Sequence, residues 1–258
     1  MKLVSDLKVK IFADGADYGQ MIEMYKNPLV KGFTTNPTLM RKAGVTDYCT
    51  FASKVLRAIP DRPVSFEVFA DEFEEMERQA REIASWGENV YVKIPVTNTS
   101  GQSTARSVHS LSHAGVQLNV TALLTLEQVQ EMSDCLAGGR SAFLSVFAGR
   151  IADTGRDPIP IMAAAAKLLA ESSNLQLIWA SPRELLNIYH ADDVGCHIIT
   201  VTNDILKKLN LINKDLTEYS LETVKMFYED ARRAGFSLDF ESRLTDHLPD
   251  EANLEPVP

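Results

Sequence analysis

The chain is poor in clustered positive charge. Its 26 Lys and Arg are scattered singly and outnumbered by 35 Asp and Glu, for a formal net charge of -9. That excludes a basic footprint for nucleic acid and leaves only small anions, held locally, as charged ligands. Cysteine is scarce too: Cys49, Cys135 and Cys196 are odd in number and far apart, which supports neither a disulfide framework nor a zinc site. They suit small buried side chains in a reducing cytosol. No run is long and apolar enough to span a bilayer, and Met1-Lys2-Leu3-Val4-Ser5-Asp6 lacks the apolar core of a secretion signal, so the expected location is cytoplasmic. No G-x-G-x-x-G turn follows an early strand, which removes the usual support for dinucleotide binding. The histidines form no metal set: His109 and His113 lie one helical turn apart, but no carboxylate pattern completes a site.

What is present is a regular alternation. Short β-rich apolar runs fall at Val9–Ala13, Val30–Thr34, Pro63–Phe69, Val90–Val96, Val116–Val120, Ala142–Phe147, Leu175–Ala180 and His197–Val201. Amphipathic, helix-favouring stretches lie between them, including Asp17–Tyr25, Asp47–Ala58, Glu72–Trp86, Ser103–His113, Leu126–Leu136, Ile159–Ala170, Arg183–Tyr189 and Asn203–Leu209. Eight strand-helix units in 258 residues, 45% of them hydrophobic, predict a closed parallel (β/α)8 TIM barrel rather than an open doubly wound sheet. An additional C-terminal helix is expected over Ser220–Gly235, where Leu221, Val224, Phe227 and Ala231 recur at helical spacing; it would cap a barrel end or pack on a neighbouring subunit of a homo-oligomer. The expected division is one domain over residues 1–240 and a mobile acidic tail over 241–258.

Within this pattern Lys93 stands out, because it interrupts the apolar run Val90-Tyr91-Val92-Lys93-Ile94-Pro95-Val96. Burial disfavours an ammonium, and the neutral amine that results is a nucleophile toward carbonyls. A lysine that snorkels to the rim or pairs with a carboxylate would read the same way on its own. Its company matters, since barrel strands converge at their C-terminal ends. There the chain supplies Asp14, then Thr34-Thr35-Asn36, Glu67, Asn119 and Thr121, Ser145 and Arg150, and Ser181 and Arg183.

These strand ends carry a resemblance. Ala13-Asp14-Gly15-Ala16-Asp17, Gly32-Phe33-Thr34-Thr35-Asn36-Pro37-Thr38 and Val92-Lys93-Ile94-Pro95-Val96-Thr97 are similar to successive signatures of the transaldolase family. So are Asn119-Val120-Thr121, Phe143-Leu144-Ser145 with Phe147-Ala148-Gly149-Arg150-Ile151, and Ala180-Ser181-Pro182-Arg183. Six motifs in order cover about Lys8 to Leu209.

The resemblance implies a barrel enzyme of sugar-phosphate metabolism, of the pentose phosphate pathway type, with neither metal nor organic cofactor. Such an enzyme passes a dihydroxyacetone unit from a ketose phosphate to an aldose phosphate. Lys93 matches the Schiff-base lysine, and Asp14 the acid/base aspartate, although an aspartate before Gly15 also suits a helix cap, a role better filled by Asp17. Glu67 and Thr121 match the pair that holds the water of imine formation. Glu67 also resembles the transferring branch, whereas the fructose 6-phosphate aldolase branch generally carries glutamine there; a structural pairing with Lys93 fits either. Asn36, Asn119 and Ser145 match groups that hold the donor's hydroxyls, or serve as turn and strand-end residues. Thr34 and Thr35 are expected to pack and bond locally. Phe147 walls the donor chain or packs in the core, and Arg150 and Arg183 with Ser181 match the phosphate clamp. Val146, where proline is common, and Pro182, where an aromatic is common, depart from the pattern and bear on which acceptor is used. Three readings remain: a transferase, including one for an unusual sugar; a lyase that releases free dihydroxyacetone; and a phosphate-binding barrel without catalysis.

Overall fold

The computed structural model describes residues 2–238, and the expected tail over 241–258 lies outside them. The described residues divide into two units, one ending at Asn210 and the other beginning at Leu211. The first is a closed barrel of eight parallel strands in sequence order: β1 (Lys10–Asp14), β2 (Val30–Thr34), β3 (Val64–Glu67), β4 (Val90–Pro95), β5 (Leu118–Leu123), β6 (Ala142–Val146), β7 (Leu175–Trp179) and β8 (Ile198–Thr202). Each expected strand is present. The second unit contains the helix Leu216–Arg233, started by the Asp215 side chain, which accepts from Glu218 N. Its Leu221, Val224 and Phe227 are exposed.

The outer helices are α1 (Tyr18–Tyr25), α2 (Pro37–Lys42), α3 (Tyr48–Ala58), α4 (Phe73–Ala84), α5 (Ala105–His113), α6 (Leu126–Leu136), α7 (Ala148–Asp153), α8 (Ile159–Leu168), α9 (Leu186–Asp193) and α10 (Asn203–Leu206). Local chemistry sets their starts. Asp17, Asp47 and Thr125 each accept a backbone N–H of the first turn, satisfying donors that have no partner within the helix. Two helices, α2 and α7, were not anticipated. Asn36 caps α2 and Pro37 occupies its first turn, so the Thr-Thr-Asn-Pro run is both a strand end and a helix start.

Alternation along the strands sorts the side chains into two cores. One set, including Val92, Ile94, Leu118, Val120, Leu144 and Trp179, packs outward in the large cluster that includes the helices' buried faces. The other points inward: Phe12, Tyr91, Phe143, Ile178, Ala180 and Ile198 fill the barrel, with Phe147 packed against them. Tyr91 stacks on Phe143 with ring centroids 3.9 Å apart, and Phe12 meets Phe143 edge-on at 5.8 Å. Gly32, register partner of Phe12, makes room for that ring: a Cβ there would lie 2.5 Å from Phe12 Cζ. This aromatic layer closes the barrel floor, and the next inward positions along the same strands are polar.

Candidate active site

Two residues beyond Tyr91 on β4, the inward position is Lys93, only 6% exposed. Register places Glu67 of β3 on one side of it and Asn119 of β5 on the other. The Lys93 Nζ lies 3.3 Å from Glu67 Oε2 and donates to the Thr35 carbonyl oxygen at 2.9 Å. A buried ammonium or amine in this position has acceptors on two sides, so the lysine does not snorkel out. Tyr48 of α3 fixes Glu67 from behind: its hydroxyl accepts from Glu67 N at 2.8 Å and donates to Glu67 O at 3.0 Å.

A chain of buried hydrogen bonds surrounds the lysine. Ser145 Oγ donates to Asn119 Oδ1 at 2.7 Å, and Asn119 Nδ2 donates to Ser65 Oγ at 3.0 Å. Thr35 Oγ1 donates to Ser65 O at 2.8 Å. With both ends of its amide engaged, Asn119 is held in one orientation. Thr121 follows on β5 at a bulge, where the register slips and Ala122 takes φ 63°. Its Oγ1 is buried and has no hydrogen-bond partner among the described residues.

Across the barrel, Asp14 ends β1 beside Thr34 and Thr202. Thr34 Oγ1 donates to Asp14 Oδ1 at 2.7 Å and lies 2.5 Å from Thr200 Oγ1. Burial pushes the Asp14 carboxyl above the usual carboxylate range. Lys93 and the Thr34 hydroxyl oppose that rise, and Glu67 adds to it. A carboxyl perturbed in this way at a strand end is a candidate acid/base group. Asp14 also borders a cleft lined by Gly15, Gln20, Leu39, Lys42 and Asn203. Asp17 is turned to the helix and accepts from Gln20 N at 2.8 Å.

The structure brings Asp14, Glu67, Lys93, Asn119, Thr121 and Ser145 to one end of the barrel on five strands. Asn36 is divided between two tasks. Its Oδ1 accepts from Leu39 N at 2.9 Å as the α2 cap, which leaves its amide nitrogen for other partners. Phe147 is half-buried against the aromatic layer, with the Arg150 guanidinium carbon 5.7 Å from its ring centroid. Arg150 and Arg183 are exposed, and Arg183 forks onto Asp153. Ser181 follows β7 with φ 61°.

Thr34 has more than a local part, since its bond to Asp14 joins two strands. Ser65, Thr200 and Tyr48 escaped notice in the sequence. Parity was the available signal for two of them: Ser65 lies two residues before Glu67, and Thr200 two after Ile198, so both face inward. Tyr48 reaches its partner through the fold alone. Among the described residues, no group of three His, Cys, Asp or Glu could hold a metal ion, and no helix is long and apolar enough to cross a membrane.

Fold and site together define a parallel barrel enzyme centred on a buried lysine. Residues 11–243 match the family Transaldolase/Fructose-6-phosphate aldolase. A protein of Dehalococcoides mccartyi named "Probable transaldolase" is 35% identical over 202 residues, covering 78% of this chain and 90% of that protein. Another of the same name, from a Thermoanaerobacter species, is 30% identical over 231 residues, covering 89% of this chain and all of its own. The crystal structure of 2,3-dimethylmalate lyase, a PEP mutase/isocitrate lyase superfamily member, superposes with a TM-score of 0.51 at 13% identity, covering 92% of this chain and 88% of that one, a likeness of fold alone. The chain belongs to the transaldolase/fructose-6-phosphate aldolase family and is an enzyme of that family.

Proposed function

We propose that the enzyme transfers a dihydroxyacetone unit from a ketose phosphate, of the fructose 6-phosphate or sedoheptulose 7-phosphate type, to an aldose phosphate. The observation that carries this reading is the buried Lys93 amine on Glu67, in the same polar layer as an Asp14 whose carboxyl is raised by burial. Lys93 Nζ adds to the C2 carbonyl, and the carbinolamine loses water to give the imine. Glu67 and the unpartnered Thr121 hydroxyl hold the water that carries the protons of this step. Asp14 takes the proton of the C4 hydroxyl as the C3–C4 bond breaks. The bonding pair stays on C3, conjugates into the imine as an enamine, and the aldose departs. Attack of C3 on the acceptor aldehyde reverses these moves, with Asp14 returning the proton to the new alkoxide, and water then releases the product ketose. Proton transfer by such a group typically contributes about 10²–10⁴-fold.

Asn119, held by Ser65 and Ser145, and the amide nitrogen of Asn36 bind the donor's hydroxyls, with Phe147 as a wall. Arg150, Ser181 and Arg183 take the phosphate. This chemistry belongs in the cytoplasm, where free cysteines persist.

The test is borohydride trapping with fructose 6-phosphate, with and without erythrose 4-phosphate. A dihydroxyacetone adduct on Lys93, together with acceptor-dependent sedoheptulose 7-phosphate, supports transfer. The same adduct with free dihydroxyacetone and no transfer supports the lyase. Absence of any adduct with ketose phosphates refutes the Schiff-base chemistry.

A further inference from the structure

An ion pair outside the lysine's surroundings has the geometry to control the phosphate end of the site, and its significance rests on reading Arg183 as a phosphate ligand. Arg183 Nε donates to Asp153 Oδ1 at 2.9 Å, and Nη2 donates to Oδ2. A guanidinium carries five N–H donors. This side-on contact takes two of them and fixes the plane of the group. The end-on fork, made by Nη1 and the second proton of Nη2, has no acceptor among the described residues. Two parallel donors of that kind match two oxygens of a phosphate.

Stability does not account for the pair. The two side chains are 47% and 53% exposed, where water screens an ion pair and leaves it little weight in stability. The surroundings are nevertheless built around it. Asp153 ends α7, the helix that carries Arg150, and the loop after β7 presses against the start of that helix. A Cβ on Gly149 would lie 1.5 Å from Ser181 O and 3.3 Å from Arg183 Nε, so glycine is required for Arg183 to lie where it does. The Arg183 fork holds the Asp153 carboxyl below the usual range, Arg150 helping through its charge, so the carboxylate stays ionised at neutral pH.

We propose that Asp153 is a positioning residue for substrate phosphate: it grips Arg183 side-on so that the end-on fork points at the phosphate of a sugar phosphate. The sign of its effect makes this testable. Asp153 is an anion close to where another anion binds, so charge alone predicts that its removal tightens phosphate binding. Positioning predicts the reverse.

The experiment compares the full-length protein with Asp153→Asn and Asp153→Glu. It reads kcat and KM for fructose 6-phosphate and for unphosphorylated fructose with one acceptor, and the binding of inorganic phosphate by calorimetry. In Asp153→Asn the preference for the phosphorylated donor falls about tenfold, mostly through KM, and inorganic phosphate binds more weakly. Asp153→Glu, which keeps the carboxylate, recovers part of the loss. Tighter phosphate binding in Asp153→Asn overturns the proposal, as does an unchanged preference or an equal loss for both donors. Calorimetry separates this from the catalytic reading. Phosphate binding that depends on Asp153, in a protein forming no Lys93 adduct, would refute the transfer chemistry and uphold the positioning. A normal adduct with phosphate binding indifferent to Asp153 would do the opposite.

Discussion

Thr121→Val should make the enzyme more stable and less active. Thr121 is 3% exposed, and its Oγ1 is buried without a partner among the described residues. A hydroxyl taken out of water without a compensating bond costs about 1–3 kcal/mol. Valine has nearly the same outline and removes only that polar atom. A water molecule that reaches the hydroxyl offsets part of the cost, so the expected gain lies at the lower end, about 1 kcal/mol. For a domain of this size that raises Tm by about 2–4 °C, readable by scanning calorimetry. Activity moves the other way. If the hydroxyl holds the water of imine formation and hydrolysis, its loss slows both by about 10–100-fold, a modest share of the usual contribution of proton handling. Rapid quenching with borohydride measures the first step directly. A lower Tm together with an unchanged trapping rate would show that the hydroxyl is satisfied and idle, and would refute both halves of the reasoning.

Asp14→Asn should also stabilise while it inactivates. Burial raises the Asp14 pKa, so ionising it costs the folded state stability as pH climbs from the unfolded carboxylate value, about 3.9, through the higher folded one. The variant's stability advantage in denaturant melts should therefore grow from acid to neutral pH, with kcat down by about 10²–10⁴; an advantage that shrinks over that range would contradict the sign. Gly149→Ala forces the backbone at Ser181 O to move, at a cost of about 1–3 kcal/mol, and should raise KM for phosphorylated donors more than for fructose. Retained Tm and retained preference in that variant would mean that the loop yields freely.

The barrel was legible because the chain obeys one rule throughout: short apolar runs alternate with amphipathic stretches, and each run found its place as a strand. Boundaries failed where side-chain chemistry, not hydropathy, sets them. The sixth and seventh inter-strand stretches show this. The unanticipated α7 begins directly after β6 with no polar cap, and α9 starts at Leu186 rather than Arg183, because Pro182 and a turn closed on Asn187 come first. β5 runs on to Leu123 through a bulge that its apolar pattern does not announce, and this extension sets Thr121 within the strand. The principal polar residues were visible as interruptions of apolar runs. Their partners were not, because Thr200, Ser65 and Tyr48 meet Thr34, Asn119 and Glu67 only after the strands close. Nothing in the sequence pattern singles out Asp153; the fork it makes with Arg183 does.

The two ends of the site differ in rigidity, and that difference has a chemical consequence. The lysine end is built on strands: Asp14, Glu67, Lys93, Asn119 and Ser145 sit at inward positions of the barrel, with the amide and hydroxyls bonded to one another above a packed aromatic floor. Residues held in this way keep their geometry without help from substrate, as proton transfer and imine formation require. The end proposed to take phosphate lies beyond β6 and β7 and rests on exposed arginines, Arg150 on α7 and Arg183 on the turn after β7, the latter oriented by its surface ion pair with Asp153 and by glycine contact. On the proposed reading, changes there should alter what is bound while leaving the reacting atoms undisturbed. Val146 ends β6 next to Phe147, and Pro182 lies between Ser181 and Arg183. Substitutions at these two positions should therefore shift substrate preference through KM, and exchanges among Asp14, Glu67 and Lys93 should act through kcat.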